Sequence, residues 1–480
     1  MIITSMCGGG CGIDFSEVRP RGAAISTQTG TCPGPASLMG LLDGNGDPVR
    51  AGGSRRVALM FSLDLTHPDI EEFISLKSGD NLHNANLSIK IHDTNKFIDK
   101  VLNDETMELS WKGKCKKTID ARRLWATIVD ATYATGDPGI LNWELVKSES
   151  TISYIKDLVT TNPCGEIALS VNESCCLGHL VLPRFVEKDA VNWHLLASTI
   201  RTGVRFLDNT LTVNKYPLQE QQKVAESLRR IGLGTTGLAD MFILLGIKYG
   251  SEESLTFIDK LYRFISKTAY EASVMLAVEK GAFPACKPDM HIKTGYVKRM
   301  SRKIKELISE HGIRNAAILT QAPTGTVSIL SGNVSSGIEP IFAPAYRRRF
   351  YLGDAIQEEL VFHPLFTEFM DTGKNTDSFI RAKDLSVEDH FAIQIAVQKH
   401  IDNAVSKTIN LAEDYPKELL NSVWLRYLPQ VKGVTFYREG SKKDAPLTPL
   451  SLAEAKKLYK KGTKSGPQKT DNCRGGKCDL

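Results

Sequence analysis

Asn162-Pro163-Cys164-Gly165-Glu166 sets an amide, a thiol and a carboxylate at alternate positions of one pentapeptide. Pro163 and Gly165 favour a turn over a helix. A turn can point the three side chains at one spot, where they would serve as hydrogen-bond anchor, reactive sulfur and proton acceptor. The same stretch also reads as a plain turn around one small buried thiol. Cys175 and Cys176 follow eleven and twelve residues later, near enough in sequence to share the site. Two packed core cysteines are the alternative, since a bond between neighbours is strained. At the far end, Cys473-Arg474-Gly475-Gly476-Lys477-Cys478 carries two thiols flanked by glycines and by cations that favour thiolate. Such a pair can close on itself or exchange with a disulfide elsewhere. Half of a zinc knuckle is a weaker reading, because a closed zinc site usually takes four ligands and the tail has two Cys and no His. Incidental cysteines on a disordered tail are a third.

Two stretches suit phosphate. Gln321-Ala322-Pro323-Thr324-Gly325-Thr326-Val327-Ser328 offers backbone N–H groups and hydroxyls in a turn after an apolar run. It lacks the Gly-Lys-Ser/Thr ending of a Walker A loop, and an ordinary Ser/Thr turn would look the same. Ala51-Gly52-Gly53-Ser54-Arg55-Arg56 pairs a glycine-rich loop with two guanidinium groups. A surface hairpin with solvated arginines is its other reading.

Elements must position these groups. The first 55 residues, rich in Gly, Pro, Ser and Thr, read as loops between short elements. Val57, Leu59, Phe61, Leu63 and Leu65, then Leu87, Ile89 and Ile91, alternate as half-buried strands do. Helical faces follow at Leu124–Val129 before Gly136, at Leu195–Leu207, at Leu255–Ile265 running to Gly281, and at Ile393, Ala396, Val397, Ile401 and Val405. Ala316–Leu319 reads as a strand entering a turn. Strands separated by helices predict an α/β architecture with largely parallel pairing. A short helix is expected at Ser451–Tyr459, inside a stretch from Ser441 whose composition reads mostly as a solvated tether.

Bulk properties narrow the class. The 480 residues are 42% hydrophobic and 24% charged, the profile of a folded chain with one large domain or two to three ordinary ones. No apolar run reaches membrane-spanning length, and Met1–Gly12 is no secretory signal. Residues 441–480 hold ten Lys/Arg against four Asp/Glu, so the tail carries +6 of a net +5 and the body is left at −1. A near-neutral body argues against nucleic-acid binding. Ten cysteines in so long a chain are no disulfide scaffold, and they predict a reducing cytoplasm.

Taken together, these stretches resemble the large-subunit family of ribonucleotide reductases, from about Gly8 to Ser441. The likeness is carried by Asn162, Cys164 and Glu166, by Gly8-Gly9-Gly10-Cys11-Gly12-Ile13 with Arg19-Pro20-Arg21-Gly22, and by Gly53–Arg56 followed by His67-Pro68-Asp69-Ile70-Glu71-Glu72-Phe73-Ile74. Pro323–Thr326 and then Ser335-Ser336-Gly337-Ile338-Glu339-Pro340 continue the family's order. The resemblance implies a ten-stranded α/β barrel of two antiparallel half-barrels, incomplete at its N-terminus over residues 1–440, and a flexible basic tail over 441–480. It implies a thiyl radical at Cys164, Glu166 as acceptor of the 3′-hydroxyl proton, Asn162 as ribose anchor and Cys175 as one thiol of the reducing pair. Cys473 and Cys478 would re-reduce the active-site disulfide. Pro323, Thr324, Gly325 and Thr326 would hold substrate phosphates, Gly9 and Gly10 would belong to the substrate-side glycine loop, and Gln28–Cys32 with Gly52, Gly53, Arg55 and Arg56 would form effector-linked specificity loops.

Thr324-Gly325-Thr326, Asn333–Gly337 and Lys432-Gly433-Val434-Thr435-Phe436-Tyr437-Arg438 look most like the adenosylcobalamin-dependent class. The alternative is a radical from a separate metal subunit, with no cofactor bound directly; the adjacent tyrosines of that class are missing. An inactive nucleotide-binding paralogue is a further reading. The resemblance implies ribonucleotide substrates, dNTP or ATP effectors, a thioredoxin- or glutaredoxin-like reductant, a homodimer, and no metal site. In the family the partner of Cys175 lies before the glycine loop, which here begins at residue 8. The expectation is therefore a split enzyme whose N-terminal half is another polypeptide, with a truncated or intron-interrupted gene as the alternative; Cys7, Cys11 and Cys32 are candidates to stand in for the missing thiol, but they lie in loops and none matches its position.

Overall fold

The computed structural model describes residues 1–25, 29–51, 55–79, 82–352, 355–440, 447–462 and 466–467. The strands that bear on the site are β1 (Cys11–Asp14), β2 (Leu59–Asp64), β3 (Ala85–Ile91), β4 (Gly139–Asn142), β5 (Thr160–Thr161), β6 (Ala168–Leu169), β7 (Cys176–Val181), β8 (Ile231–Thr236), β9 (Ala345–Leu352), β10 (Ala355–Phe362), β11 (Thr408–Leu411), β12 (Gly433–Arg438) and β13 (Leu447–Pro449). The helices are α1 (Ala121–Thr135), α2 (Trp193–Val213), α3 (Glu252–Lys280), α4 (Gly325–Leu330), α5 (Val387–Gln398) and α6 (Leu452–Lys460).

One sheet runs β1-β2-β3-β4-β12-β11. Its first four strands are parallel, β12 is antiparallel to β4, and β11 is parallel to β12. A second, parallel pair joins β7 to β8. Single bridges from Leu233 to Leu319 and from Gln321 to Val405 stitch β8, through extended chain at 318–321, to the segment entering β11. Parallel strands need a crossover between them and end up covered on both faces. Hence β2 is buried from Leu59 to Leu63, Met60 and Ser62 included, rather than half-buried as its alternation predicts, and β3 is buried at every position but Asn86.

Helix ends follow local chemistry. α1 starts on the Asp120 carboxylate, which accepts the Arg123 N–H at 2.6 Å, and stops at Gly136 in a left-handed conformation. α3 starts at the Ser251 hydroxyl and ends before Gly281. α5 closes at Gln398, so Ile401 and Val405, read from sequence as its continuation, lie outside it, Ile401 in the turn after the helix and Val405 in a bridge to Gln321. α2 and α3 cover β7 and β8 with one apolar core. α1 covers β1–β3 with another, in which Trp125 packs edge-on to Trp424 at 5.0 Å.

The short helix expected at Ser451–Tyr459 forms as α6, which buries Ala455 and sets Tyr459 against Phe362 and Phe366, and β13 pairs with β9, so this part of the stretch from Ser441 is packed rather than tether. The β-strands make a mixed α/β assembly, and no closed barrel forms among the described residues.

Candidate functional site

The Asn162–Glu166 pentapeptide is the loop of a two-strand hairpin, β5 with β6. Gly165 takes φ +81° and donates its N–H to the Asn162 carbonyl, which turns the chain. The Asn162 side-chain oxygen accepts the Ile167 N–H at 3.0 Å, so that residue braces the loop from within. Cys164 sits exposed at the tip. Two residues on, Glu166 is buried, and its backbone oxygen accepts from the Thr320 hydroxyl at 2.8 Å and the Ala404 N–H at 2.9 Å. Its side-chain Oε2 has no hydrogen-bond partner. Burial pushes this carboxyl above the usual range, opposed by the adjacent Asn162 amide. The stretch is a turn as expected, and the plain buried-thiol alternative fails at Cys164, which is exposed.

The hairpin rests on β1. A Cβ on Gly12 would stand 1.9 Å from the Thr161 carbonyl oxygen, and one on Gly10 would stand 2.6 Å from Pro163 Cγ. Gly10 therefore docks the hairpin, and Gly9 lies against Thr4. The root is tied down further by Ser62, whose hydroxyl meets Thr160 Oγ1 at 2.9 Å, and by buried Lys90, ion-paired to Asp14 and Asp64. Burial would raise the Asp64 carboxyl, but the His92 hydrogen bond and the Lys90 charge together lower it to about 2.

Cys175 immediately precedes β7. Strand alternation puts Cys175, Leu177 and His179 on one face and Cys176, Gly178 and Leu180 on the other. The second face is covered by α2, where a Cβ on Gly178 would touch Leu207. The first faces the hairpin: Cys175 Sγ lies 3.0 Å from where a Gly232 Cβ would be, beside Thr320, which holds Glu166. Glu166 and Cys175 thereby lie near one another on one side of the sheet, and Cys176 faces the other. Burial raises the Cys175 thiol well above its ordinary range, and Arg230 pulls the other way. Cys11 belongs to β1 rather than to a loop and packs into the α1 core; Cys32 donates to the Arg19 carbonyl; Cys7 is exposed.

The Pro323–Thr326 stretch is the start of α4, with Thr324 at φ +53° as its first flanking residue. The first-turn N–H groups of such a helix lack intrahelical partners and suit phosphate. The Thr324 hydroxyl is already engaged: it meets Thr236 Oγ1 at 2.9 Å and accepts the Gly337 N–H at 2.7 Å. Asp240 accepts the Ser335 N–H at 2.6 Å, and the Ser335 hydroxyl is buried without a partner. A cavity of about 370 Å³ opens here, lined by Gly325, Ser328, Ser335, Ser336 and Glu339 among others.

Sequence reading missed the buried charges behind the hairpin. Arg230 pairs with Glu173 at 2.5 Å and bonds Asn403, and Glu173 in turn accepts the Ser170 N–H at 2.7 Å. Asp402 accepts from Tyr270 and from the Ile318 and Leu319 N–H groups. Lys432 caps the Asp402 and Asn403 carbonyls, and burial lowers its ammonium to about 8. These residues are scattered in sequence and follow no periodic pattern, so only folding assembles them. Gln28, Gly52 and Gly53, and the tail pair Cys473 and Cys478, lie outside the described residues; Arg55–Arg56 form a short strand antiparallel to Arg50–Ala51. Among the described residues no cluster suits a metal ion, and no helix is long and apolar enough to cross a membrane.

The family model described as ribonucleotide reductase, barrel domain, matches residues 1–437. A vitamin B12-dependent ribonucleoside-diphosphate reductase of Thermoplasma acidophilum is 35% identical over 95% of this chain and 60% of its own length. The protein of the same name from Mycobacterium tuberculosis is 32% identical over 98% of this chain and 67% of its own. A ribonucleoside-diphosphate reductase subunit alpha of Chlamydia muridarum is 28% identical over 70% of this chain and 37% of its own. The chain therefore spans about 60% of the Thermoplasma relative.

Proposed function

The chain belongs to the ribonucleotide reductase barrel-domain family, and from that premise we propose that it reduces ribonucleotides to 2′-deoxyribonucleotides. The observation that carries this is the hairpin: an exposed thiol at its tip, with a buried carboxylate oxygen beside it that lacks a partner. Cys164, as a thiyl radical, takes the ribose 3′ hydrogen. Glu166, its proton affinity raised by burial, accepts the 3′-hydroxyl proton, and Asn162 holds the ribose. The 2′-hydroxyl leaves as water while two thiols give two electrons and become a disulfide, and Cys164 then returns the hydrogen to the 3′ carbon and is again the thiyl radical. Cys175 is one of them, and Cys473 with Cys478 restores the pair by exchange.

Adenosylcobalamin is the cofactor proposed, in line with the names of the Thermoplasma and Mycobacterium relatives. It would supply the first hydrogen-atom abstraction at Cys164, and an exposed thiol fits the approach of so large a group. Nucleoside diphosphates, whose phosphates meet the Thr324 turn, are the substrates favoured by those names; nucleotide effectors, a dithiol reductant protein and a homodimer complete the reading. Among the described residues β1 pairs only with β2 and β7 only with β8. A strand between those edges would close a ten-stranded barrel and bring the second thiol.

The test is deoxyribonucleotide formation from a ribonucleoside diphosphate with adenosylcobalamin and a dithiol, by this chain alone and mixed with the polypeptide encoded upstream. Activity in either mixture that is lost on Cys164→Ser supports the proposal, and activity only on mixing puts the second thiol in trans. Activity that survives Cys164→Ser, or none in either, refutes it.

A further inference from the structure

We propose that His179 is a substrate-binding residue that hydrogen-bonds the phosphate nearest the sugar; the inference rests on the nucleotide-reducing reading above. His179 shares a strand face with Cys175, and it lies level with Gly234 in the register of β7 with β8. The interior groups then fall in order along the strands. Cys175 comes first, level with the start of β8. Next is Thr320, which holds Glu166 and lies beside Gly232 and Gly234. His179 follows, and then Thr236, which bonds Thr324 at the head of α4. At about 3.3 Å per residue, His179 stands roughly 13 Å along the strand from Cys175 and about 7 Å short of the level of Thr236. A nucleotide with its sugar at Glu166 and its outer phosphate at the Thr324 turn passes the imidazole.

The ring is built to lie there. Gly234 leaves room for it: a Cβ at that position would stand 3.0 Å from His179 Cδ2 and 2.4 Å from the Thr320 carbonyl oxygen. Nε2 is buried without any hydrogen-bond partner, a state that is unfavourable unless a ligand relieves it. Burial alone lowers the imidazole to about 4, so it meets the ligand neutral, with one N–H to give. The residue is only partly buried, so some of its surface remains open to a ligand.

The experiment is calorimetric titration of the full chain with cytidine diphosphate and, separately, with cytidine, for the unsubstituted protein, His179→Ala and His179→Gln. The expected result is a roughly tenfold loss of diphosphate affinity in His179→Ala, unchanged cytidine affinity, and substantial recovery in His179→Gln, whose amide can still donate. Equal losses for both ligands would show a merely structural role, and undiminished diphosphate binding by His179→Ala would also overturn the inference. If the unsubstituted chain bound no diphosphate at all, the functional reading itself would fall, an outcome distinct from either.

Discussion

Gly12→Ala tests whether the hairpin's seat on β1 sets the position of Cys164. The new methyl carbon would begin 1.9 Å from the Thr161 carbonyl oxygen, whereas a carbon–oxygen contact settles near 3.3 Å or more. Hairpin and strand must therefore part by about 1.4 Å at that point. β1 cannot simply retreat, because Gly12 is held in register opposite Met60. The displacement falls on β5, three residues from Cys164. Overpacking of this kind costs about 1–3 kcal/mol, a minority of a folded protein's usual 5–15 kcal/mol, so the chain stays folded. A displacement of ~1 Å at a reacting group can cost about 10²-fold in rate. Nucleotide reduction by Gly12→Ala should accordingly fall about a hundredfold, with only a modest drop in melting temperature. Gly40→Ala, whose Cβ meets nothing within 4 Å, is the control and should be neutral in both. Wild-type turnover in Gly12→Ala with an unperturbed melt would refute the argument that β1 seats the hairpin.

Cys164→Ser should abolish reduction and leave the melting temperature nearly unchanged, because the side chain is exposed; a calorimetric scan beside the activity assay checks both. Glu166 has its carboxyl raised by burial, and a base must be ionised to work, so activity should rise as pH climbs through that raised value, a limb that Glu166→Gln removes. The same shift means the folded state holds its proton longer than the unfolded one. Its stabilising contribution is full below the ordinary glutamate value and is lost as pH rises through the folded one, which denaturant midpoints of wild type and Glu166→Gln should show. Arg230→Met leaves Glu173 charged and buried and should cost about 3–5 kcal/mol, with Glu173→Gln in the same chain recovering part of it. Thr236→Val keeps the shape but removes the hydroxyl that meets Thr324, and KM for the nucleotide should rise several-fold with kcat little changed.

Much of the candidate site's local structure was legible because it is set by neighbours in the chain. Asn162, Cys164 and Glu166 are spaced by a turn that Pro163 and Gly165 specify by themselves, and the hairpin tip is where that turn puts the thiol. Helix limits at Gly136 and Gly281 were likewise written in single residues. Strand burial was misread because alternation reports one apolar face, whereas a parallel strand under crossover helices buries both, as Met60 and Ser62 do. The run to Val405 was misread because an apolar spacing near 3.6 can continue by chance after a helix has ended at Gln398.

The sequence by itself determined the turn at Asn162–Glu166 and the amphipathic helices, which depend on neighbours within a turn or two, and the family likeness, which needs only the order of motifs along the chain. Only the tertiary structure decided which of two adjacent thiols faces the hairpin, that Gly12 must lack a side chain, and that His179 stands between Cys175 and the Thr324 turn. Those facts depend on register between strands far apart in the chain: Cys176 against Ile231, His179 against Gly234. A shift of one residue would invert every face, and no local pattern records that choice.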